Sequence, residues 1–250
     1  METLSTNKSL VLGYTEVYDC ATQRIWAWHK VSDVIEGVEL RFSNMAGGFP
    51  FEAAGHTWAS SEQLYLAGEF TDPLIQKEIS STKSGYAAKR FIKAKYKKAV
   101  RDDFNNFRLQ WMLWCVWQKC KGNQAFQRLL SSVPDDVILV EDTTTDNGGT
   151  AEIWGCRNPE QREAQSIARK DIPARLDGDF KSKKRLEAEI DKLVLQETCK
   201  VGTYRGQNNI GKIIMICRDC LIKGTEPNID YDLLNSAHIV IFGDVLKFSD

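Results

Sequence analysis

The chain of 250 residues has no long apolar run. Nothing in it approaches the roughly 20 residues that a membrane-spanning helix needs, so no membrane partner is expected. Its start, METLSTNKSL, lacks the apolar core and small-residue cleavage site of a secretory leader. Charge of one sign is lacking too: 33 Lys and Arg stand against 34 Asp and Glu, a formal net charge of -1. That excludes a global attraction to nucleic acid or an anionic surface and leaves only a local basic patch. Histidine is scarce, and His29, His56 and His238 have no metal-ligand spacing. The seven cysteines are odd in number and scattered, unlike a secreted disulfide framework, so a reduced, cytoplasmic setting is expected. Cys217-Arg218-Asp219-Cys220 is a CxxC without a second pair, too little for a structural zinc site. There is no Gly-x-Gly-x-x-Gly motif, no Walker motif and no internal repeat. Neither a cofactor nor a metal is expected.

What is present is ordinary in bulk and specific in one stretch. Apolar content of 42% and charged content of 27% suit a soluble globular protein of one or two domains. The chain is organised around residues 41–70, RFSNMAGGFPFEAAGHTWASSEQLYLAGEF. Ser43-Asn44 is a polar turn, Gly47-Gly48 a break, and Gly55 a second turn. Ser60 or Ser61 can cap a helix whose first turn holds Glu62, where a carboxylate is favoured. Glu62 reads either as a solvated cap residue or as a carboxylate at the floor of a cleft flanked by aromatics.

Around that stretch, residues 1–10 read as a loose lead-in, residues 11–17 as a first strand, and residues 38–42 as a short strand. The state of residues 25–29 is left open. Asp72-Pro73 starts another helix. Residues 86–98, YAAKRFIKAKYKK, read as a basic helix. Lys89 and Lys93 lie one turn apart on it, either as part of a solvated face or as a phosphate receiver. The strongest helix signal runs over residues 103–121, apolar nearly all round and therefore a buried centre. A short helix over residues 125–130 follows, and residues 137–140 form the clearest strand.

Residues 159–200 differ from the rest. They are highly charged, with Leu186, Ile190 and Leu193 at helical spacing, and read as an insertion with one helix over residues 181–195. The apolar run at 213–218 fits a strand or a buried helix equally by periodicity. A last apolar run, His238 to Phe242, adds a strand or packs on the core.

Taken in order, several pieces form a pattern: Phe42-Ser43-Asn44; Gly55-x-x-Trp58-x-x-Ser61-Glu62; the tryptophan-rich helix; Glu141; Trp154-Gly155; Gly206-x-Asn208-x-x-Gly211; and Met215-x-x-Arg218. Over roughly residues 40–221 this order resembles the NADAR, or YbiA-like, family. The resemblance implies a mostly helical α+β fold with a small sheet; the charged helical insertion, at about 158–203, is a departure from the family. The expected layout is an N-terminal extension at 1–37 packing on a single domain at 38–250, with a C-terminal extension at about 222–250. The implied activity is hydrolysis of an N-glycosidic bond. The first expectation is removal of ADP-ribose from ADP-ribosylated guanine, as a nucleotide or in DNA. The others are an N-glycosidase of phosphorylated riboflavin-biosynthesis intermediates and a non-catalytic nucleotide sensor. The implied partners are an ADP-ribosyl or phosphoribosyl nucleotide, modified DNA, and a toxin or defence system.

On the family's pattern Glu62 is the catalytic glutamate, Trp154, Gly155 and Asn208 match cleft positions, and Phe104 stands where a tryptophan usually follows an aspartate. Three positions depart from it. Glu69 replaces a lysine seven residues after the glutamate, Ala151 replaces an aspartate three residues before Trp-Gly, and Ile92-Lys93 replaces Gly-Arg. Breaking a ribose–nitrogen bond builds positive charge at the anomeric carbon, which a carboxylate stabilises while it orients or deprotonates water. A second carboxylate often shares the work. The candidates for it are Glu69, if its helix turns it inward, Glu152 and Asp146. Phosphates need cations, for which Lys83, Lys89, Lys93 and Arg218 are the set. Trp58, Tyr65, Phe104 and Trp154 are either a stacking wall for a base or core. Asn44 and Asn208 either donate to ribose hydroxyls or lock turns.

Overall fold

Ser60 and Asp72 behave as their positions lead one to expect. Ser60 caps the helix Ser61–Ala67 by accepting from the Gln63 amide, and Asp72 caps Pro73–Ser80 by accepting from the Leu74 amide. Pro73 at the first helical position loses no hydrogen bond. The computed structural model describes residues 10–176 and 182–249; residues 1–9, most of the expected lead-in, and Lys181, the expected start of a helix, lie outside them. Helices carry most of the regular structure and the strands are short, a mostly helical α+β fold. The described chain divides into two compact units, residues 13–29 with 136–211 and residues 10–12 with 30–135 and 212–249.

The second of these units centres on the helix Phe104–Gly122, whose Trp111, Met112, Cys115 and Val116 are buried. The Trp111 indole donates to the Tyr65 carbonyl at 3.0 Å and so ties this helix to the Glu62 helix. Asp103 precedes it, but its carboxylate grips the Arg101 guanidinium and makes no side-chain cap. The hairpin Phe51–Ala53/His56–Trp58 turns on Ala54 and Gly55, both at positive φ, the geometry of a two-residue primed turn. Buried Gln76 joins distant backbone: its amide donates to the carbonyls of Ala67, Phe70 and Val240. Such satisfied polar locks fix one arrangement of otherwise apolar elements. Residues 86–98 are not one regular helix. The segment runs through a single α-turn at Gly85–Ala87, a π-helical stretch at Ala88–Lys93 and a 3-10 turn at Lys97–Ala99.

In the other unit the strand expected over residues 11–17 lies instead at Glu16–Asp19 and pairs antiparallel with Thr203–Gly206. Cys156–Arg157 pairs with the far edge of Thr203–Gly206. Ile25–Trp28, left open by its sequence, is a strand and runs parallel to Ile138–Glu141. The charged insertion holds two helices where one was expected. Pro159–Arg175 and Lys183–Thr198 form a hairpin with its own small core of Ala168, Ile172, Ile190 and Val194. The charged residues of Pro159–Arg175 mask its thin apolar stripe; its start carries the signals Asn158, which accepts from the Gln161 amide, Pro159 at the first helical position and Glu160 in the first turn. The helix Asn209–Lys223 settles the open reading of residues 213–218: its 15 residues exceed a usual strand. Back in the unit of residues 30–135, the strand expected over 38–42 shrinks to Val38–Glu39, because the chain turns at Leu40, whose amide bonds back to the Asp33 carbonyl.

Candidate active site

Every residue of the helix Ser61–Ala67 is buried, so Glu62 is not a solvated cap. Its side chain is 2% exposed. The Glu62 amide bonds to the Asn44 carbonyl at 3.0 Å, and the Asn44 side-chain amide donates to Glu62 Oε2. Ser61 Oγ donates to the same Asn44 carbonyl. The turn at Ser43-Asn44 and the helix start are thus one assembly, although 18 residues separate the two side chains. Asn44 Nδ2 also lies 3.9 Å from the sulfur of Met112 on the central helix. On the other side the Lys89 ammonium stands 4.0 Å from Glu62 Oε1, with half its side chain in solvent.

Burial pushes the Glu62 carboxyl above the ordinary carboxylate value, while Lys89 and Lys93 pull against it. A carboxyl shifted by burial and faced by a cation is a common feature of acid–base sites. Gly85 allows that packing. A Cβ at Gly85 would lie 2.7 Å from Ser60 Oγ and 2.8 Å from Glu62 Cβ. Gly85→Ala is therefore expected to lower stability by about 1–3 kcal/mol, the usual cost of overpacking. A urea melt that leaves the midpoint unchanged would show that this approach is looser than drawn.

Glu69 is also turned inward, at 1% exposed, but from the turn two residues beyond the end of the helix Ser61–Ala67 and not from a shared helix face. Its Oε1 takes the Lys93 ammonium at 2.6 Å. Its Oε2 is buried with no hydrogen-bond partner among the described residues. Burial raises the Glu69 carboxyl, Lys93 opposes that, and Glu62 adds to the rise. Tyr65 lies in the same field: burial, Glu69 and Glu62 all raise its hydroxyl. Its ring meets Phe104 edge-on at 5.2 Å. The structure therefore gathers Asn44, Glu62, Tyr65, Glu69, Lys89, Lys93 and Phe104. The π-helical bonding of residues 88–93, a local feature frequent at functional sites, carries both lysines.

The remaining named residues stand otherwise. Trp58 is core: it is 1% exposed, donates to the Ala53 carbonyl at 3.0 Å and stacks on Phe242. Lys83 is exposed beside the cap of the basic segment. Arg218 is buried, pairs with Asp219 at 3.0 Å and donates to the Pro134 carbonyl at 2.9 Å. In the unit of residues 13–29 and 136–211, Glu152 is exposed and faces Arg157 at 3.5 Å. Asp146 lends its backbone carbonyl to that same Arg157. Trp154 is half-buried at the end of the short helix Ala151–Trp154, and a Cβ on Gly155 would press on Thr143. Asn208 is fully buried at positive φ; it accepts from the Glu141 amide and donates to the Leu139 carbonyl, a lock between segments. Gly85 was missed as a site residue because Ser84-Gly85 signals only a break. Among the described residues no cluster of His, Cys, Asp or Glu could hold a metal, and no helix is long and apolar enough to cross a membrane.

Helices round buried side chains, with one three-stranded and four two-stranded sheets among the described residues, make an α+β fold. Among solved structures the chain is similar to the NMR structure of the E. coli protein YbiA, at a TM-score of 0.50 and 22% identity, over 81% of this chain and 87% of that one. The likeness is one of fold. No family model matches the sequence, and no curated protein matches it at a significant level.

Proposed function

We propose that this protein is an N-glycosidase that removes ADP-ribose from ADP-ribosylated guanine, with Glu62 as the catalytic carboxylate. The observation that carries the reading is a carboxyl buried at a helix start, held by Asn44 and faced by a lysine that reaches in from solvent. A solvated cap residue has none of these features. In the reaction the carbon–nitrogen bond breaks with its electron pair going to the base. Glu62 stabilises the cationic ribose carbon and takes a proton from the water that adds there. The base nitrogen receives a proton in turn. Lys89 and Lys93 supply the charge for the phosphates, and Tyr65 and Phe104 an aromatic wall. Arg218 and Trp58 have no part in this reading, since carbonyls and core packing occupy them.

The test is incubation with an oligonucleotide carrying ADP-ribosyl-guanine, followed by mass spectrometry, beside phosphorylated riboflavin intermediates. Free ADP-ribose and restored guanine are expected. Turnover of the riboflavin intermediates alone would transfer the reading to that branch. No turnover of either, with ADP-ribose still bound, would leave a nucleotide sensor.

A further inference from the structure

Glu69 and Lys93 form an unusual ion pair. The carboxylate is buried at 1% side-chain exposure, whereas the lysine is 39% exposed and enters from the surface. Only one carboxylate oxygen is engaged; the other is buried and unpartnered among the described residues. A buried carboxylate whose hydrogen-bonded partner is a single, partly exposed cation depends strongly on that cation for its charge. Lys93 is also one of the two ammonium groups, four residues apart, that the proposed function assigns to phosphate. It cannot serve both partners fully.

We propose that an incoming pyrophosphate draws the Lys93 ammonium away from Glu69, and that Glu69, left without its cation, takes up one proton from solvent. The inference rests on the phosphate-binding part of the proposed function and adds to it a proton step and a role for Glu69. No covalent bond changes except the new O–H on Glu69; the ion pair Lys93–Glu69 is exchanged for an ion pair between Lys93 and the ligand. The groups around Glu69 favour this outcome. Burial and the nearby Glu62 both disfavour a bare negative charge there. Lys89 acts on Glu69 from further off and is already drawn to Glu62 at 4.0 Å. Arg101 meets Glu69 only through its backbone amide, its guanidinium being held by Asp103. Arg108 acts on Tyr65, and Cys115 is a buried thiol held neutral near Glu62. Once protonated, Glu69 is a carboxylic acid beside the Glu62 carboxylate, an acid and a base in one site. The site acquires that acid only with a phosphate bound, so a substrate without a phosphate meets a site that lacks it. Glu69 is in this sense a positioning and specificity residue.

The experiment is calorimetric titration of the intact protein with ADP-ribose at pH 7, in PIPES and in Tris. The pyrophosphate of ADP-ribose does not titrate near neutrality, unlike a terminal phosphate, whose second pKa is about 6. A buffer-dependent heat then counts protons taken up by the protein. The expected result is uptake approaching one proton per ligand. Glu69→Gln should reduce the uptake to near zero and tighten binding several-fold, because Lys93 is no longer held. Lys93→Met should also abolish uptake, with weaker binding, since Glu69 is then already protonated. Saturable binding with no buffer dependence in the wild type overturns the proposal and leaves the glycosidase reading standing. So does uptake that persists in Glu69→Gln, since the proton then goes elsewhere. No saturable heat at millimolar ADP-ribose overturns both. A wild type without uptake overturns the proposal whatever the variants do, and Glu69→Gln and Lys93→Met each locate the proton if the other fails to fold.

Discussion

Glu62→Gln is expected to lower turnover of ADP-ribosyl-guanine by about 1,000-fold, within the range that acid–base and electrostatic groups contribute, and at the same time to raise the melting temperature at pH 7. The two effects share one cause. Glu62 is buried, and burial raises its carboxyl above the ordinary value of 4.5. A carboxyl that binds its proton more tightly in the folded state makes the fold less stable wherever it is ionised. That cost is fully present above the raised folded value and is relieved as the pH falls towards the unfolded one. Glutamine keeps the shape and an oxygen for the Asn44 amide but carries no charge, so the cost disappears. A site that gives up stability to keep a charged group is where local rules are expected to fail for function. The measurements are single-turnover mass spectrometry and thermal melts from pH 5 to 8. The stability gap between the two proteins should close as the pH falls. Near-wild-type turnover by the variant would remove Glu62 from the chemistry. An unchanged melting temperature would mean that solvent reaches the carboxyl.

Local signals made the frame of this site legible. Ser60, Glu62 and Asp72-Pro73 each mark a helix start by a mechanism confined to one turn, and all three mark it where the structure has it. The tryptophan-rich helix was equally plain, because its apolar residues leave no polar side. The contacts that turn the frame into a site have no local signature. Asn44 reaches Glu62 across 18 residues, and Lys93 reaches Glu69 across 24. Spacing suggested a shared helix face for Glu69 and Glu62, but the helix ends at Ala67, and the turn after it carries Glu69 inward. The basic segment was misread as one regular helix, since composition does not distinguish α from π bonding. The helix Pro159–Arg175 was lost for a different reason: a two-helix hairpin buries only a thin stripe, and the charges that solubilise it outweigh the stripe in any window. The aromatics divided by their surroundings, Trp58 into core and Tyr65 and Phe104 beside the carboxylates.

Lys119→Met should stabilise the protein by about 3 kcal/mol at pH 7. Lys119 follows Trp111 and Cys115 at intervals of four on the central helix, so it shares their buried stripe and is itself 0% exposed. Its ammonium has no hydrogen-bond partner among the described residues and rests only over the ring of Phe126, 4.1 Å from the centroid. Cys120 and Cys217 act on it, but burial pushes the first thiol up to about 11 and the second well above its ordinary value. Both are neutral at pH 7 and offer no counter-charge. Burial accordingly pulls Lys119 down from 10.5 to about 8. The sign follows from proton counts: between those values the unfolded chain holds a proton that the folded one does not, so stability rises with pH. The penalty is complete below about pH 8 and fades as the pH climbs toward 10.5. A shift of that size corresponds to about 3 kcal/mol, or roughly 5–10 °C in melting temperature for a chain of this length. Methionine fills the same volume without a charge and keeps a favourable contact with the ring. Urea melts of both proteins at pH 7, 8 and 9 test this. The advantage of the variant should be greatest at pH 7 and shrink by pH 9; an advantage independent of pH would mean that the gain comes from packing, and a loss of stability would mean that the ammonium has a partner worth more than its burial costs.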